Sequence, residues 1–302
     1  MIITSDFRDL PDAKRVLVIG NFDGVHIGHQ ALFRQANQLA AEMGGQTIAL
    51  TFHPHPLTVL GFSVLSIMDE QSKRRLIAEQ GVDAYVAMPF DQQLAAMSPE
   101  RFVQDILIAG AQARAVVVGF NFSFGRGGAG TPEYLQQALA MKGVPVVIVP
   151  PVMLAGEAVS STRLRQCIRT GDLKQAGMML GRPYSLFGTV QSGDQRGRQL
   201  GFPTANIGQL QELALPPFGV YAAEVPGIGV GMANLGNRPS FPQQCPSLEV
   251  HIFDFCGDLY GQRIQVVLRK FVRDERQFSS LEELQQQLNE DQRVIRDMLA
   301  DG

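Results

Sequence analysis

The chain has 302 residues, of which 45% are hydrophobic and 18% are charged, and its formal net charge at pH 7 is −3. This length favours two domains of ordinary globular composition, and the weak negative charge argues against a general binder of nucleic acids or anionic membranes. No apolar run approaches the ~20 residues that a membrane-spanning helix needs, and the first residues, MIITSDFRDLPDAKR, lack the apolar core of a secretory signal. The three cysteines have no C-x-x-C spacing, so a disulfide framework and a structural zinc site are not expected, and a reducing cytoplasm is the predicted location.

The first part of the chain alternates strand-like and helix-like segments. Continuously apolar runs, typical of strands covered on both faces, lie at 15–22, 47–52, 83–90, 114–120 and 144–150. Helical segments between them carry N-cap and C-terminal glycine signals: one ends at Gly44, one runs from Ser98-Pro99 to Gly110, and one runs from Thr131-Pro132 to Gly143. This alternation predicts an α/β fold with a doubly wound parallel sheet.

The pattern changes near Gly181-Arg182-Pro183. Closely spaced strand-like segments with Pro and Gly turns follow at 186–193, 219–225, 229–236, 247–255 and 263–271. They favour a small antiparallel barrel or sandwich, and we predict the barrel, followed by a C-terminal helix over 280–299. The predicted domains are therefore residues 1–182 and residues 183–302.

The segment GNFDGVHIGH (20–29) follows a strand and leads into a helix. Ligands of open parallel sheets bind at the carboxyl ends of strands, and glycines there let the backbone approach an anion. His26 and His29 are three residues apart, so both can face a phosphate at the helix start. A surface pair or a metal clamp, with His53 and His55 as further ligands, is the alternative.

Here the chain resembles a known family. GNFDGVHIGH looks like the HxGH signature of the nucleotidylyltransferase superfamily, and with TFHPHP (51–56) and VSSTRLR (159–165) it resembles the FMN adenylyltransferase half of prokaryotic bifunctional riboflavin kinase/FAD synthetases. The resemblance implies that His26 and His29 are catalytic. It implies ATP contacts at Gly20, Asn21, Phe22, Gly24, Gly28, Ser160, Ser161, Thr162 and Arg165. A capped helix with a solvent-facing arginine is the alternative for VSSTRLR.

A loop rich in glycine and phenylalanine, VGFNFSFGRGGAG (118–130), also matches, although family members commonly have Asp in place of Asn121. The implied flavin contacts of the first domain are His53, Pro54, Pro56, Asn121 and Phe124. An ordinary surface loop is the alternative for 118–130.

No GxxxxGK[ST] motif occurs, so a Walker-type kinase is not expected. GTVQSGDQRGRQLGFPTANI (188–207) resembles instead the riboflavin kinase signature. Gly193, Gly197 and Gly201 then contact ATP, and Thr204 and Asn206 hold Mg²⁺ through oxygen atoms. A hairpin loop is the alternative.

Glu249 lies in the alternating strand SLEVHIFDF (247–255), where spacing allows an exposed glutamate as well as a functional one. The resemblance makes it the base that activates the riboflavin 5′-hydroxyl. Arg273 either reaches the flavin or forms an ion pair with Asp274 or Glu275.

The family therefore predicts an enzyme that uses ATP and Mg²⁺ to convert riboflavin to FMN and then FMN to FAD, with no nucleic acid or membrane partner. Two other functions stay open: adenylylation of a nicotinate or pantetheine phosphate, and a flavin-binding protein without catalysis.

Overall fold

The computed structural model describes residues 1–191, 200–208, 210–237 and 245–300. The chain divides into two compact units, the first formed by Met1–Val64 and Glu70–Ser161 and the second by Leu65–Asp69 and Thr162–Gly302. In the part described, no helix is both long and apolar enough to cross a membrane.

The first unit contains a parallel sheet of six strands. They are β1 (Ile2–Thr4), β2 (Arg15–Ile19), β3 (Gln46–His53), β4 (Ala84–Pro89), β5 (Ala113–Gly119) and β6 (Val146–Val149). Their order in the sheet is β1-β4-β3-β2-β5-β6. All five residues of β2 are buried, as the continuous apolar run predicts for a strand covered on both faces. The predicted parallel α/β sheet is confirmed; β1, a strand of three residues, had no clear signal in the sequence.

Six α-helices of the first unit connect or flank these strands in the described residues. They are α1 (Ile27–Met43), α2 (Pro56–Val59), α3 (Glu70–Ala78), α4 (Gln92–Ala95), α5 (Pro99–Arg101), which runs on into a π-helix at Phe102–Gly110, and α6 (Pro132–Ala140). Two short 3₁₀ turns lie at Phe7–Asp9 and Arg126–Gly128, and the two-stranded ribbon β7 (Met153–Leu154) and β8 (Glu157–Ala158) follows β6. Gly44 ends α1 in a left-handed conformation (φ 59°), as its C-terminal position predicts.

The second unit contains a closed antiparallel barrel. Its strands are β9 (Ser185–Gln191), β10 (Ala205–Ile207), β11 (Gly219–Val225), β12 (Gly229–Asn237), β13 (Pro246–Ile252) and β14 (Arg263–Arg273). They follow one another around the barrel in the order β10-β13-β12-β11-β14-β9, and β9 pairs with β10 to close it. The predicted barrel is confirmed, whereas β10 lies in a segment whose strand character the turn-forming residues around it concealed.

Three helices complete the described part of the second unit: α7 (Ser161–Arg169, whose first residue belongs to the first unit), α8 (Leu173–Leu180) and the long α9 (Leu281–Ala300). Ser280 caps the start of α9, since its hydroxyl accepts from Glu283 N at 3.1 Å, and the Glu283 carboxylate accepts from Ser279 N at 2.9 Å. Its apolar face packs on the barrel through Ile295, which is fully buried against Val220, Ala222 and Met232. The predicted C-terminal helix is therefore present.

Candidate active sites

Three segments singled out in the sequence follow neighbouring strands of the parallel sheet. Residues 20–29 follow β2, residues 54–56 follow β3, and residues 120–130 follow β5. β2 pairs in parallel with both β3 and β5, so the carboxyl ends of the three strands share one edge of the sheet. This edge is where ligands bind in open parallel sheets.

The turn after β2 has an unusual backbone. Phe22 and Val25 adopt positive φ angles of 53° and 40°, beside Gly24 at 84°. Both apolar side chains are fully buried, and the Ser161 hydroxyl donates to the Asp23 carbonyl at 2.9 Å. Burial and this long-range bond hold a conformation that L-residues rarely adopt, and such strain is common at functional sites. Since Phe22 is fully buried, its ring does not reach a ligand.

His26 is the N-cap residue of α1. Its Nδ1 accepts a hydrogen bond from His29 N at 3.2 Å, and the side chain is only 5% exposed. Because Nδ1 accepts here, the proton of the neutral ring is on Nε2. His26 can therefore offer an N–H donor to a ligand without losing its capping bond.

His29 stacks on His26 with a centroid distance of 3.6 Å and an interplanar angle of 17°. Burial lowers the pKa of His29 well below its usual range, and His26 and Lys73 lower this pKa further. Its Nδ1 is buried and has no hydrogen-bond partner among the residues described. The neutral His29 ring therefore has hydrogen-bonding capacity that the described residues do not satisfy, as expected where a ligand binds.

The glycines of this turn make room for aromatic rings. A Cβ atom at Gly20 would lie 2.9 Å from Phe22 Cε1. Asn21 is exposed, and its carbonyl accepts from the Thr51 hydroxyl at 3.4 Å. Side chains at Gly20 would thus displace the buried ring that supports His29, which contacts Phe22 edge-on at 5.5 Å.

The TFHPHP segment forms the end of β3 and the start of α2. His53 and Pro54 are exposed, and Pro56 is the first residue of α2. His55 is the N-cap residue of this helix, because its Nδ1 accepts from Leu57 N at 3.2 Å. The structure thus gives His55 a capping role, and it leaves His53 and Pro54 accessible to a ligand.

The loop after β5 presents different rings from those that the sequence suggested. Phe124 is 6% exposed and packs among Phe102, Phe122 and Tyr134 in the core. Asn121 is exposed, and Phe120 is 43% exposed. The loop can offer Asn121 and Phe120 to a flavin, whereas Phe124 supports the loop from within.

VSSTRLR spans the boundary between the two compact units. Ser160 and Ser161 belong to the first unit, and Thr162 and Arg165 belong to the second. The Arg165 Nε donates to the Leu65 carbonyl at 2.7 Å within the second unit. The segment is helical from Ser161 onward, as its sequence predicts.

In the second unit, the barrel register aligns four polar residues. Asn206 of β10 lies opposite Gln191 on one side and Glu249 of β13 on the other, and Glu249 also lies opposite Asn234 of β12. Residues opposite one another in antiparallel strands project from the same face. The row Gln191, Asn206, Glu249 and Asn234 therefore forms one polar strip across four strands.

Glu249 is half-buried, and its neighbours Leu248 and Val250 are at most 1% exposed and face the other way. On the face of Glu249, two residues further along the neighbouring strand β12, Met232 packs against Ile295 of α9. Glu249 thus lies on the side of the barrel wall against which α9 packs, not on the side filled by Leu248 and Val250.

Thr204 and Asn206 lie together at the start of β10. The Asn206 Nδ2 donates to the Thr204 hydroxyl at 3.4 Å and to its carbonyl at 3.3 Å, and Asn206 is 5% exposed. The donor set is one hydroxyl and one amide oxygen, which suits a Mg²⁺ ion that keeps several waters and phosphate ligands. A dedicated metal cage is a different arrangement, and no group of three or more His, Cys, Asp or Glu residues that could form one occurs among the residues described.

A cavity of about 560 Å³ adjoins these two residues. Its wall includes Thr204, Asn206, Val250 and Ile252 of the barrel segments and Phe255, Cys256 and Tyr260 of the segment after β13. An aromatic wall beside a hydroxyl and an amide is suited to a ligand with a flat ring and a polar tail.

Arg273, which was expected either at the flavin or paired with Asp274 or Glu275, forms its ion pair with Asp291 of α9. Its Nε lies 2.9 Å from Asp291 Oδ1 and its Nη2 lies 2.7 Å from Oδ2, while Nη1 donates to the Asp274 carbonyl at 2.9 Å. Asp291 is 2% exposed. Arg273 thus ties the end of β14 to α9.

Of the three glycines predicted to contact ATP in this unit, Gly193 and Gly197 lie outside the described residues. Gly201 is exposed, has a positive φ of 85°, and a Cβ atom there would meet no atom within 4 Å.

The residues that sequence reasoning missed are Asn234, His251 and Asp291. No local signal marks Asn234 or Asp291, because only strand register and helix docking bring them to Glu249 and Arg273.

Two family models match the chain: "FAD synthetase" over residues 10–163 and "Riboflavin kinase" over residues 180–299. The chain is 38% identical to a "Bifunctional riboflavin kinase/FMN adenylyltransferase" of Listeria monocytogenes, with 99% of this chain and 96% of that protein covered. Proteins with the same description from Bacillus subtilis and Escherichia coli K12 are 38% and 37% identical, over 94% and 95% of this chain and 92% and 93% of theirs.

A solved structure described as a macrolide-efflux protein from Streptococcus pneumoniae is also similar. It is 34% identical, with a TM-score of 0.85 and 98% of each chain covered. This similarity extends the shared fold over nearly the whole chain.

Proposed function

The chain belongs to the family of bifunctional riboflavin kinase/FMN adenylyltransferases. From this premise we propose which residues carry out each of the two reactions. The enzyme phosphorylates riboflavin with ATP to give FMN and transfers AMP from a second ATP to FMN, giving FAD and pyrophosphate. We assign adenylyl transfer to residues 1–182 and riboflavin phosphorylation to residues 183–302. The efflux description of the solved structure is not carried over, because both family models and the curated relatives describe flavin enzymes.

The observation that carries the kinase assignment is the register of the barrel: Glu249 lies directly opposite Asn206. Asn206 also lines the cavity of the second unit, whereas Glu249 does not, so we place the ATP phosphates at Asn206, where the cavity adjoins the polar strip. Glu249 then accepts the proton of the riboflavin 5′-hydroxyl as the oxygen attacks the γ-phosphate. Phe255 and Tyr260 line the same cavity and offer aromatic rings to the adenine.

Thr204 and Asn206 would hold Mg²⁺, which would neutralise the charge that develops on the phosphates. Both residues offer oxygen atoms at the edge of the cavity, and the Asn206 amide hydrogen bonds keep its side chain beside Thr204. The proposed phosphate-binding glycines remain Gly193, Gly197 and Gly201. Arg273 has a different role, because its ion pair positions α9.

In the first unit, the FMN phosphate attacks the α-phosphate of ATP directly, since a phosphate is already a nucleophile. His26 and His29 donate hydrogen bonds to the charge that develops at phosphorus, and the N-terminus of α1 adds backbone N–H groups. Gly20, Asn21, Gly24 and Gly28 are proposed to let the turn approach the phosphates, and Ser160 and Ser161 are further proposed ATP contacts of this unit. The ATP contacts expected at Thr162 and Arg165, which belong to the second unit, stay predictions from the sequence. His53, Pro54, Pro56 and Asn121 are the proposed flavin contacts, and Phe124 supports the loop that carries Asn121.

We further propose a cytoplasmic location, because both reactions consume ATP. No cysteine forms a disulfide in the part of the chain that the structure describes, which is consistent with this location.

A product assay tests the assignment. The purified chain is incubated with riboflavin, Mg²⁺ and ATP, and flavins are separated by chromatography over time. The parent protein should form FMN first and FAD later. His29→Ala should stop FAD formation from FMN and leave riboflavin phosphorylation, and Glu249→Ala should do the reverse. Loss of both activities in a folded single variant would contradict the division into two sites, and binding of flavin without ATP consumption would favour a non-catalytic protein.

A further inference from the structure

His251 is a buried titratable residue that the two reactions above do not use. It lies on β13, two residues after Glu249, and is 8% exposed. Its ring contacts Phe202 edge-on at 5.1 Å and Phe253 at 5.7 Å. These contacts place His251 against the residues that lead into Thr204.

The His251 Nδ1 lies 2.8 Å from the Pro203 carbonyl oxygen. A carbonyl can only accept, so Nδ1 carries the proton and donates. Burial lowers the pKa of His251, although this hydrogen bond raises it. The neutral ring with its proton on Nδ1 makes the observed contact, so the bond needs no buried charge.

The hydrogen bond lies where the strand ladder stops. β10 pairs with β13 from Ala205 opposite Val250 to Ile207 opposite Leu248. One step further, Thr204 would lie opposite His251, but the preceding residue is Pro203, which has no N–H to donate to a ladder. The imidazole donates to the Pro203 carbonyl, beyond the last paired residue of β10, and so fixes the carbonyl that precedes Thr204.

Phe202, which contacts the His251 ring, is also held in place by its packing. Phe202 is 6% exposed and belongs to the apolar cluster that contains Ile295 of α9. On the far side of His251, Arg296 of α9 lies 4.8 Å from the centre of the Phe253 ring and forms an ion pair with Asp254 at 2.9 Å. Phe202, His251 and Phe253 thus form a row of rings in edge-to-face contact between α9 and the segment that contains Thr204 and Asn206.

We propose that His251 is a positioning residue of the kinase reaction: its Nδ1–H holds the Pro203 carbonyl and so fixes Thr204 and Asn206 in the arrangement that binds Mg²⁺ and the ATP phosphates. The inference rests on the proposed assignment of Thr204 and Asn206. Because His251 contacts no substrate, the expected effect of losing its hydrogen bond is weaker binding of the metal–nucleotide complex, while Glu249 stays in place.

His251→Phe and His251→Asn form a matched pair for the test. Phenylalanine keeps a ring between Phe202 and Phe253 but has no donor, whereas the asparagine Nδ2 can donate near the position of the histidine Nδ1. Binding of ADP is measured by calorimetry with Mg²⁺ and again with a chelator, and riboflavin phosphorylation is measured over a range of Mg²⁺ concentrations. Conversion of added FMN to FAD by the same chain is the internal control.

His251→Phe should weaken binding of the Mg²⁺–ADP complex by about 3- to 10-fold, the range expected for one lost hydrogen bond, and should raise the Mg²⁺ concentration needed for half-maximal kinase activity. The same variant should change ADP binding in chelator much less, and His251→Asn should recover most of the loss. FAD formation from FMN should not change. Equal Mg²⁺–ADP affinity in His251→Phe and the parent would overturn the inference.

Two further measurements keep the test decisive. If hydrogen exchange of peptides from β14 shows that the His251→Phe barrel does not fold, nitrogen NMR of the parent protein replaces it: the His251 ring should show a protonated Nδ1, and its signals should shift when the Mg²⁺–ADP complex is added. A protonated Nε2 with an unprotonated Nδ1, or signals that do not move, would overturn the inference. A parent protein that neither binds the complex nor phosphorylates riboflavin would instead contradict the kinase assignment itself.

Discussion

Gly28 lies against the imidazole ring of His26, so that a Cβ atom at residue 28 would stand 3.1 Å from both Cε1 and Nδ1 of that ring. Nδ1 is also the atom that caps α1. The glycine of the HxGH motif therefore has a specific steric reason in this chain: it leaves room for the ring that starts the helix.

The first prediction follows from this contact. Gly28→Ala should displace the His26 ring and lower the rate of FMN adenylylation by about 10- to 100-fold, because small displacements of catalytic groups are costly. Riboflavin phosphorylation should continue at the parent rate. Gly177→Ala in α8 is the matched control, since its Cβ would be at an ordinary contact distance of 3.5 Å from the nearest atom. FAD formation is measured by chromatography. If Gly28→Ala formed FAD at the parent rate, the position of the His26 ring would be unimportant for adenylylation.

The second prediction concerns the proton acceptor of the kinase. Glu249→Gln keeps the size of the side chain in the polar strip and removes its capacity to accept a proton. We expect the kcat of riboflavin phosphorylation to fall by about 10²- to 10⁴-fold, with a smaller change in the KM for ATP. Glu224→Gln on β11, where the carboxylate pairs with Arg269, should leave kcat unchanged. A kcat within a few-fold of the parent for Glu249→Gln would exclude Glu249 as the base.

The third prediction concerns the buried ion pair between Arg273 and Asp291, whose side chains are 14% and 3% exposed. Asp291→Asn leaves a buried guanidinium without its counter-charge and should destabilise the docking of α9 by about 3–5 kcal/mol. Hydrogen exchange of peptides from α9 and β14 measures the change. Glu290→Gln on the same helix removes an exposed pair with Arg293, and because exposed ion pairs contribute little to stability, hydrogen exchange should stay close to that of the parent. Equal exchange in the two variants would count against the importance of the Arg273 pair.

The fourth prediction uses Cys256, which is exposed and lines the cavity assigned to ATP. Addition of Mg²⁺ and ATP should slow the alkylation of Cys256 by iodoacetamide, because the nucleotide covers the thiol. Peptide mass spectrometry follows Cys256 and, as internal references, Cys167 and Cys245, which do not line this cavity. If the nucleotide gave Cys256 no protection, ATP would have to bind elsewhere in the barrel domain.

The fifth prediction is a pH dependence of stability. The folded protein holds the pKa of His29 well below its ordinary value of 6.5, so the unfolded chain binds the proton more readily. The resulting stability is fully present above about pH 6.5 and is lost as the pH falls toward the folded pKa. Calorimetric melting at a series of pH values should show a smaller loss between about pH 7 and pH 5 in His29→Gln than in the parent. His53→Gln, at an exposed position, should keep the slope of the parent, and an unchanged slope in His29→Gln would contradict the assignment.

Local patterns in the sequence were sufficient to predict the two kinds of fold and most of the helices and strands. Continuous apolar runs mark β2 to β6 because both faces of these strands are covered, and capping residues mark the ends of the helices because orphan backbone groups need partners there. Glycine and histidine at fixed spacing after β2 likewise predict a phosphate-binding turn before any contact is known. The assignment of the chain to two domains at 182–183 stays a prediction, since Thr162 and the residues after it belong to the compact unit that contains the barrel.

Tertiary structure decided what depends on pairing between distant residues. The position of Glu249 between Asn206 and Asn234 is a consequence of strand register, and a shift of one residue would turn Glu249 to the other face. Arg273 meets Asp291 rather than the neighbouring Asp274 carboxylate because α9 packs on the barrel, and Phe124 is buried because its loop folds back onto Phe102. These contacts depend on the closure of long loops and on burial, which no local pattern of residues encodes.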